Sequence, residues 1–278
     1  QWGECVLLDM RHLGEKTINE RLPLVRELAI AYLGVDIVTD AVPIRPVVHY
    51  MMGGISTNTK AATTLPGLFA AGECACVSLN GANRLGSNSL VELLVFGKSA
   101  ALSAIEHLRG VPAANTDALA ARANESQARI RELFSRTDGT ESMSGLRKEM
   151  MDTMEKNVGI YRTEAGLKEA VDKITELRQR YRHVILNDKS NVFNTDLFQV
   201  LELGCMLDCA SALTVGALAR KESRGAHQRL DYTERDDDKY LRHSMVHFQG
   251  MEQPRVDYLD VVITKSRPGV RDYSGDHK

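Results

Sequence analysis

The sequence predicts an α/β region followed by an all-α region, with a small β-containing end. Three observations point there. Between residues 66 and 108 a short apolar segment runs into an irregular loop and then a long apolar-faced helix, the strand–loop–helix order of nucleotide-binding folds. From Asp117 onward, four successive segments carry apolar residues at helical spacing. Beyond residue 240, two alternating segments flank a Gln249-Gly250 turn. With 278 residues, 43% of them hydrophobic and 26% charged, the chain can build a sizeable core. A disordered, collagen-like or disulfide-dense chain is excluded.

In chain order, Thr17-Ile18-Asn19-Glu20 matches a capping box, and Ile18, Leu22, Val25, Leu28, Ala29 and Tyr32 predict a helix that Gly34 closes, with Pro23 in its first turn. Val42 to Tyr50, with Pro43 and Pro46, predicts an extended segment ending at Gly53-Gly54, where a backbone passes close to something. Pro66 to Gly72 predicts a short strand buried on both faces, with Glu73 at its carboxyl end. Asn80 to Ser87 is irregular, and Ser89 to Leu108 predicts a helix with Leu90, Leu93, Leu94, Gly97, Ala101, Ala104 and Leu108 on one side. Residues 112–116 read as a linker. Helices are expected near 117–135, 143–157, 164–183 and 194–220, and strands at Tyr240–Phe248 and Arg255–Thr264, with a frayed tail after Arg267.

The 35 basic and 37 acidic side chains nearly cancel, which leaves no global field for nucleic acid or an anionic bilayer, so any anion site is local. The most apolar stretch, Leu197 to Ala219, is interrupted by Glu202 and Asp208, and no membrane-spanning helix is expected. The chain opens on Gln1 with no basic segment and apolar run after it, so no signal peptide is expected. Five cysteines without a framework spacing suit free thiols in a reducing compartment. Cys74-x-Cys76 lacks zinc-ligand spacing and Cys205 and Cys209 lie one helical turn apart, so small buried thiols are expected and no metal site.

Two segments carry chemistry: VVHYMMGGI, Val47 to Ile55, and GLFAAGECACVSLNGANRLGSNSLVELLVFG, Gly67 to Gly97. The joint order of His-Tyr-x-x-Gly-Gly, Gly-Leu-Phe-x-x-Gly-Glu and Asn-Arg-Leu-Gly-x-Asn-Ser-Leu is far more specific than a lone glycine-rich loop. These segments, with RKESRGAHQRLDYTERDD at Arg220 to Asp238, resemble the flavoprotein subunit of fumarate reductase and succinate dehydrogenase.

That resemblance implies a partial FAD-binding (Rossmann-like) domain with the end of a capping domain, then a helical bundle domain and a small β-containing C-terminal segment. The implied boundaries are 1–45, 46–110, 111–222 and 223–278. It further implies FAD as cofactor, fumarate and succinate as substrates, an iron–sulfur subunit as direct partner, and quinone-binding membrane anchor subunits reached through it, on the cytoplasmic side of the cell membrane. The diphosphate-binding strand–turn–helix, the flavin-linking histidine and a proton-donating cap arginine are expected upstream of Gln1. Arg45-Pro46, Ser87 and Arg11 to Pro23 look closer to fumarate reductases than to succinate dehydrogenases.

By the same resemblance, His49 and Arg84 bind the substrate. A dianion that leaves water needs fixed cations and donors, and a guanidinium holds a carboxylate by two parallel hydrogen bonds where a lysine cannot. Taken alone, Arg84 also reads as a surface ion pair and His49 as a satisfied imidazole. Gly53 and Gly54 are implied to let the backbone approach the flavin, against a bare tight turn. Glu73 is implied to accept hydrogen bonds from FAD hydroxyls, against a solvated acid. Asn88, Ser89 and Leu90 open a helix whose free N–H groups and positive dipole end suit the flavin's electron-rich edge, against Ser89 as an ordinary N-cap. The Glu222 to Arg229 segment is expected to be an ion-paired loop that fixes domain packing, and Asp236-Asp237-Asp238 a solvated turn rather than a cation site. An L-aspartate oxidase-like flavoenzyme, or a folding and interaction module without catalysis, are the rival readings.

Overall fold

The computed structural model describes residues 5–112, 115–266 and Gly269. Trp2-Gly3-Glu4, two residues of the expected linker and nearly all of the expected frayed tail lie outside those residues. The chain divides into two compact units, 1–49 and 50–278.

In the first unit, strand β1 (Val6–Leu8) pairs antiparallel with β2 (Val42–Ile44), Leu7 opposite Pro43. The sequence reading found the extended segment but not its partner. The expected single helix is two, α1 (Gly14–Arg21) and α2 (Pro23–Leu33). Pro23 sits at the start of α2 and leaves Leu22 non-helical, at φ −130° and ψ 34°, because its ring lacks an N–H and disfavours helical geometry in the residue before it. Helix α1 itself starts at Gly14, three residues before Thr17, so the capping box lies inside the helix and goes unused. Gly34 closes α2 in the left-handed conformation as expected. Ile18, Ala29, Ile37 and Val42 form this unit's core.

The second unit opens with a two-residue parallel pair, β3 (Ile55–Ser56) with β4 (Ala75–Cys76). The strand expected at Pro66–Gly72 is absent. Those residues make only an isolated antiparallel bridge, Phe69 with Ala62, and Leu68 is exposed. A strand of a buried parallel sheet needs paired neighbours on both edges, and among the described residues this segment bonds across only to 61–63, on one edge. Glu73 consequently stands at the amino end of β4, not at a strand's carboxyl end.

Helix α3 (Asn88–Gly110) follows. The bundle comprises α4 (Thr116–Ser135), α5 (Met143–Val158), α6 (Glu164–Arg180) and α7 (Thr195–Ala219). Each start is fixed by a side-chain cap: Asn115, Ser142, Thr163 and Asn194 accept first-turn N–H groups. The core lies among α5, α6 and α7, where Leu146, Ile174, Leu177, Leu203 and Leu207 are almost wholly buried; α4 reaches it only through Leu133 and Phe134 at its end.

Two helices, α3 and α7, are long and apolar enough to cross a membrane by length and composition alone. For α7 the reason is burial, since it is the bundle's core helix. Only 6% of the apolar window of α3 is buried, and Leu90, Leu94 and Leu108 are exposed.

Strand β5 (Tyr161–Arg162) pairs in parallel with β6 (Gln228–Arg229), tying the C-terminal segment to the bundle. The short helix α8 (Asp237–Tyr240) precedes the antiparallel hairpin β7 (Arg242–His247) and β8 (Arg255–Asp260). The hairpin is the expected one, with Gly250 at φ 63° in its turn. The cysteines are free but not buried: Cys5, Cys74, Cys205 and Cys209 are exposed and Cys76 is half-buried. Cys205 and Cys209 fall off the helix stripe of Val200, Leu203, Leu207 and Ala210 that faces the core. Among the described residues no cluster of metal-ligating side chains occurs.

Candidate functional site

The site is built on the loop between β4 and α3. This loop holds two non-glycine residues in left-handed geometry, Ser78 at φ 68° and Ser87 at φ 64°, and such conformations persist only where the surroundings impose them. Arg84 lies between them, half-buried. Its guanidinium sits 4.6 Å from the ring centroid of Tyr50, within cation–π range. Its Nε is buried and has no hydrogen-bond partner.

Tyr50, which the sequence reading passed over, is the hub of this cluster. Its hydroxyl oxygen is also buried without a partner. Burial raises its pKa, and the negative charges of Glu92 and Glu73 add to that effect. Glu92, in the second turn of α3, is 3% exposed and accepts from the side-chain amide of Asn80. No signal marked Tyr50 beyond its place after His49, and nothing in the helical spacing of α3 sets the inward carboxylate of Glu92 apart from an ordinary surface glutamate.

Gly53 and Gly54 both adopt positive φ, 94° and 124°. Their reasons differ. A Cβ on Gly54 would lie 2.5 Å from the carbonyl oxygen of Cys74, which instead accepts from the N–H of Ile55 at 2.8 Å, so Gly54 lets β3 and β4 meet. A Cβ on Gly53 would meet nothing within 4 Å. One oxygen of Glu73 accepts from the N–H of Met51 at 2.9 Å, holding the Tyr50–Gly54 segment against the turn before β4.

Helix α3 begins after Ser87, whose side chain caps nothing. The N-cap is therefore not Ser89. Asn88 donates its N–H to Leu85 at 3.2 Å, while Ser89 and Leu90 open the first turn with no capping side chain. Unpaired amide donors and a positive dipole end are thus presented beside the Arg84 loop. His49 is exposed in extended chain at the end of the first unit and is described there. The second unit thus brings Arg84, Glu73, Gly53, Gly54 and the start of α3 into one neighbourhood around Tyr50.

The Glu222–Arg229 loop is ion-paired, as expected. Glu222 is fully buried and accepts from Arg220 at 2.7 Å and Arg224 at 2.8 Å; Arg229, 1% exposed, pairs with Asp231 at 2.7 Å. Asp236 caps α8, and Asp237 accepts from Arg224 and Arg235, which leaves no free acidic cluster there.

The chain is similar to proteins of known family along nearly its whole length. Residues 147–273 match a family model described as the fumarate reductase flavoprotein C-term, and residues 1–90 match one described as an FAD binding domain. A fumarate reductase flavoprotein subunit from Haemophilus influenzae is 49% identical over 98% of this chain and 45% of its own length. A succinate dehydrogenase flavoprotein subunit from Rickettsia bellii is 38% identical over 93% of this chain and 45% of its own length. Among solved structures, a quinol-fumarate reductase with menaquinol molecules superposes with a TM-score of 0.92 at 47% identity, over 96% of this chain and 46% of that one. The chain spans about half the length of the curated relatives it matches. Two family models in sequence order, relatives at nearly half identity along almost the whole chain and a shared backbone leave one conclusion: the chain belongs to the family of the fumarate reductase and succinate dehydrogenase flavoprotein subunits.

Proposed function

We propose that the protein carrying this chain is an FAD-dependent oxidoreductase that interconverts fumarate and succinate, as the flavoprotein subunit of a quinone-linked complex, with fumarate reductase favoured over succinate dehydrogenase. The observation that carries the reading is Arg84: a half-buried guanidinium, held over Tyr50, with one donor that finds no partner. A buried unpaired donor costs about 1–3 kcal/mol, which a bound carboxylate would return. A guanidinium binds a carboxylate in a fixed plane, so Arg84 orients a dicarboxylate as well as attracting it. His49 supplies a second donor to substrate in this reading.

The residues present suit FAD. Gly53 leaves open space, the first turn of α3 at Asn88, Ser89 and Leu90 offers uncapped N–H groups, and Glu73 offers a carboxylate to ligand hydroxyls. Gly54 contributes by keeping β3 on β4 beneath them. FAD, when bound, supplies a two-electron acceptor and donor for the substrate's central carbon–carbon bond. This chain's own residues hold the dianion and exclude water, while the proton belongs to an arginine outside these residues. Residues 1–45 read as the end of a capping domain, 46–110 as part of a Rossmann-like FAD-binding domain, 111–222 as a helical bundle domain and 223–278 as a C-terminal segment. On the cytoplasmic side of the cell membrane, where partner subunits hold the flavoprotein, an iron–sulfur subunit takes or delivers the electrons, and membrane anchor subunits exchange them with quinone.

Substituting Arg84→Lys in the flavin-loaded protein tests this. The expected loss is about 100-fold or more in kcat/KM for fumarate and succinate, with flavin absorbance unchanged, the cost of one bidentate charge-assisted pair. Unchanged kcat/KM, or turnover of L-aspartate alone, would overturn the proposal.

A further inference from the structure

The loop that carries Arg84 is pinned by contacts from elsewhere in the chain. The hydroxyl of Ser78 lies 2.8 Å from Nε2 of His243 on β7. The amide of Asn80 reaches Glu92. The carbonyl of Ala82, two residues before Arg84, accepts the N–H of Ala226 at 2.9 Å. This last contact is also the tightest sterically. A Cβ on Gly225 would lie 2.7 Å from both the carbonyl carbon and oxygen of Ala82, and Gly225 holds φ at 57°. The clash is with backbone, so no rotamer relieves it.

The two sides of this contact differ in stiffness. Arg224 and His227 exchange backbone hydrogen bonds at 2.8 and 3.0 Å across the two-residue turn Gly225–Ala226. Arg224 is fastened to Glu222 and Asp237. Both oxygens of the fully buried Glu222 are occupied, by Arg220 and Arg224 and by the N–H of Asp236. The ring of His227 is held between Arg162 and the carbonyl of Arg220, each at 2.9 Å. Every flank of the turn is thus anchored to the bundle or to α8. The Ala82 side is an irregular loop whose neighbouring guanidinium has a free donor.

We infer that the Gly225–Ala226 turn is a positioning element for Arg84: anchored by the Glu222, Arg224 and His227 contacts, it sets the height of the Arg84 loop at Ala82. The inference rests on the reading of Arg84 as the substrate-holding cation. Displacement at this contact moves the loop rather than the turn, and a guanidinium misplaced by about 1 Å loses its bidentate geometry.

The test uses the flavin-loaded protein and the binding of malonate, a dicarboxylate that lacks the pair of adjacent carbons the reaction oxidises. Gly225→Ala is expected to weaken malonate binding and raise KM for succinate about 10-fold, with flavin content and visible spectrum unchanged. Leu203→Ala, in the bundle core, is the control: it lowers thermal stability and leaves KM as it was. In an Arg84→Lys background, Gly225→Ala is expected to add less than about 2-fold, because a residue that acts through Arg84 has nothing further to misplace. Unchanged malonate binding in Gly225→Ala, or full additivity with Arg84→Lys, overturns the inference while the reading of Arg84 stands. Unchanged binding in Arg84→Lys alone overturns that reading, and this inference with it. Should Gly225→Ala fail to fold, Arg224→Lys loosens the turn without adding volume, because an ammonium cannot keep the guanidinium's paired bonds to Glu222 and Asp237. It is expected to weaken malonate binding about 3-fold, and unaltered binding there also refutes the inference.

Discussion

Acidification should destabilise the second unit through one imidazole. His227 is pushed down from 6.5 to about 4, first by burial and then by the charges of Arg162, Arg229 and Arg220. Its two neighbours settle its form: Nδ1 accepts from the guanidinium of Arg162, which has no proton to receive, so Nε2 carries the hydrogen donated to the carbonyl of Arg220. A protonated ring would set two cations against each other. The unfolded chain binds the proton near 6.5 and the folded chain only near 4, so between those values the unfolded state holds more protons and stability falls as pH falls. At about 1.4 kcal/mol per pH unit, the loss reaches at most about 3 kcal/mol, an upper bound because the ring keeps some solvent contact. The perturbation is His227→Gln, whose amide can accept from Arg162 and donate to Arg220 without titrating. Urea unfolding of the protein carrying this chain, followed by circular dichroism from about pH 7.5 to 4.5, should show a slope that the variant largely loses. His243, also lowered by burial and by the charge of Arg220, leaves a smaller slope of the same sign. The carboxylates Asp231 and Glu149, held near 2 by Arg229 and by Arg180 and Lys173, contribute only further into acid. An equal slope in parent and variant between about pH 6.5 and 4.5 would refute the reasoning.

Two further substitutions probe the same framework. Glu222→Ala strands Arg220 and Arg224 beside a buried cavity, and breaking a buried pair in this way should cost about 3–5 kcal/mol in urea unfolding, whereas an effect under about 1 kcal/mol would mean that water already reaches the pair. Gly54→Ala forces a Cβ onto the Cys74 carbonyl at a φ of 124°, so a loss of at least about 2 kcal/mol is expected together with weakened flavin retention on gel filtration; a neutral result would show that β3 and β4 are free to part.

The bundle was legible because its signals are local. Asn115, Ser142, Thr163 and Asn194 each stand immediately before an apolar periodic run and bond N–H groups two or three residues ahead, a relation visible in the sequence alone. Pro23 shows how a local rule can be read to the wrong end: a proline in a helix's first turn was expected, and the helix it opens proved to be a second one. The strand at Pro66–Gly72 failed for the opposite reason. An apolar run marks burial, but a strand exists only with a partner, and the pairing partner of this region took up Ala75–Cys76 instead. Arg84 and the segment around it were recognisable as motifs, whereas Tyr50, though inside one of them, and Glu92 were given no role because neither a tyrosine nor a helical glutamate is unusual.

The amino-acid sequence by itself determined the bundle helices, the closing hairpin, the family, and the arginine on which the proposed chemistry turns. It also marked Gly53 and Gly54 as places of close approach, without saying to what. Tertiary structure alone decided that Gly54 meets Cys74 while Gly53 faces open space, that Glu222 is sealed from water, and that Ala226 holds Ala82. Spacing within three or four residues is written into a helix or a turn, whereas a contact such as Ser78 with His243, 165 positions apart, exists only once packed elements have fixed both ends in space.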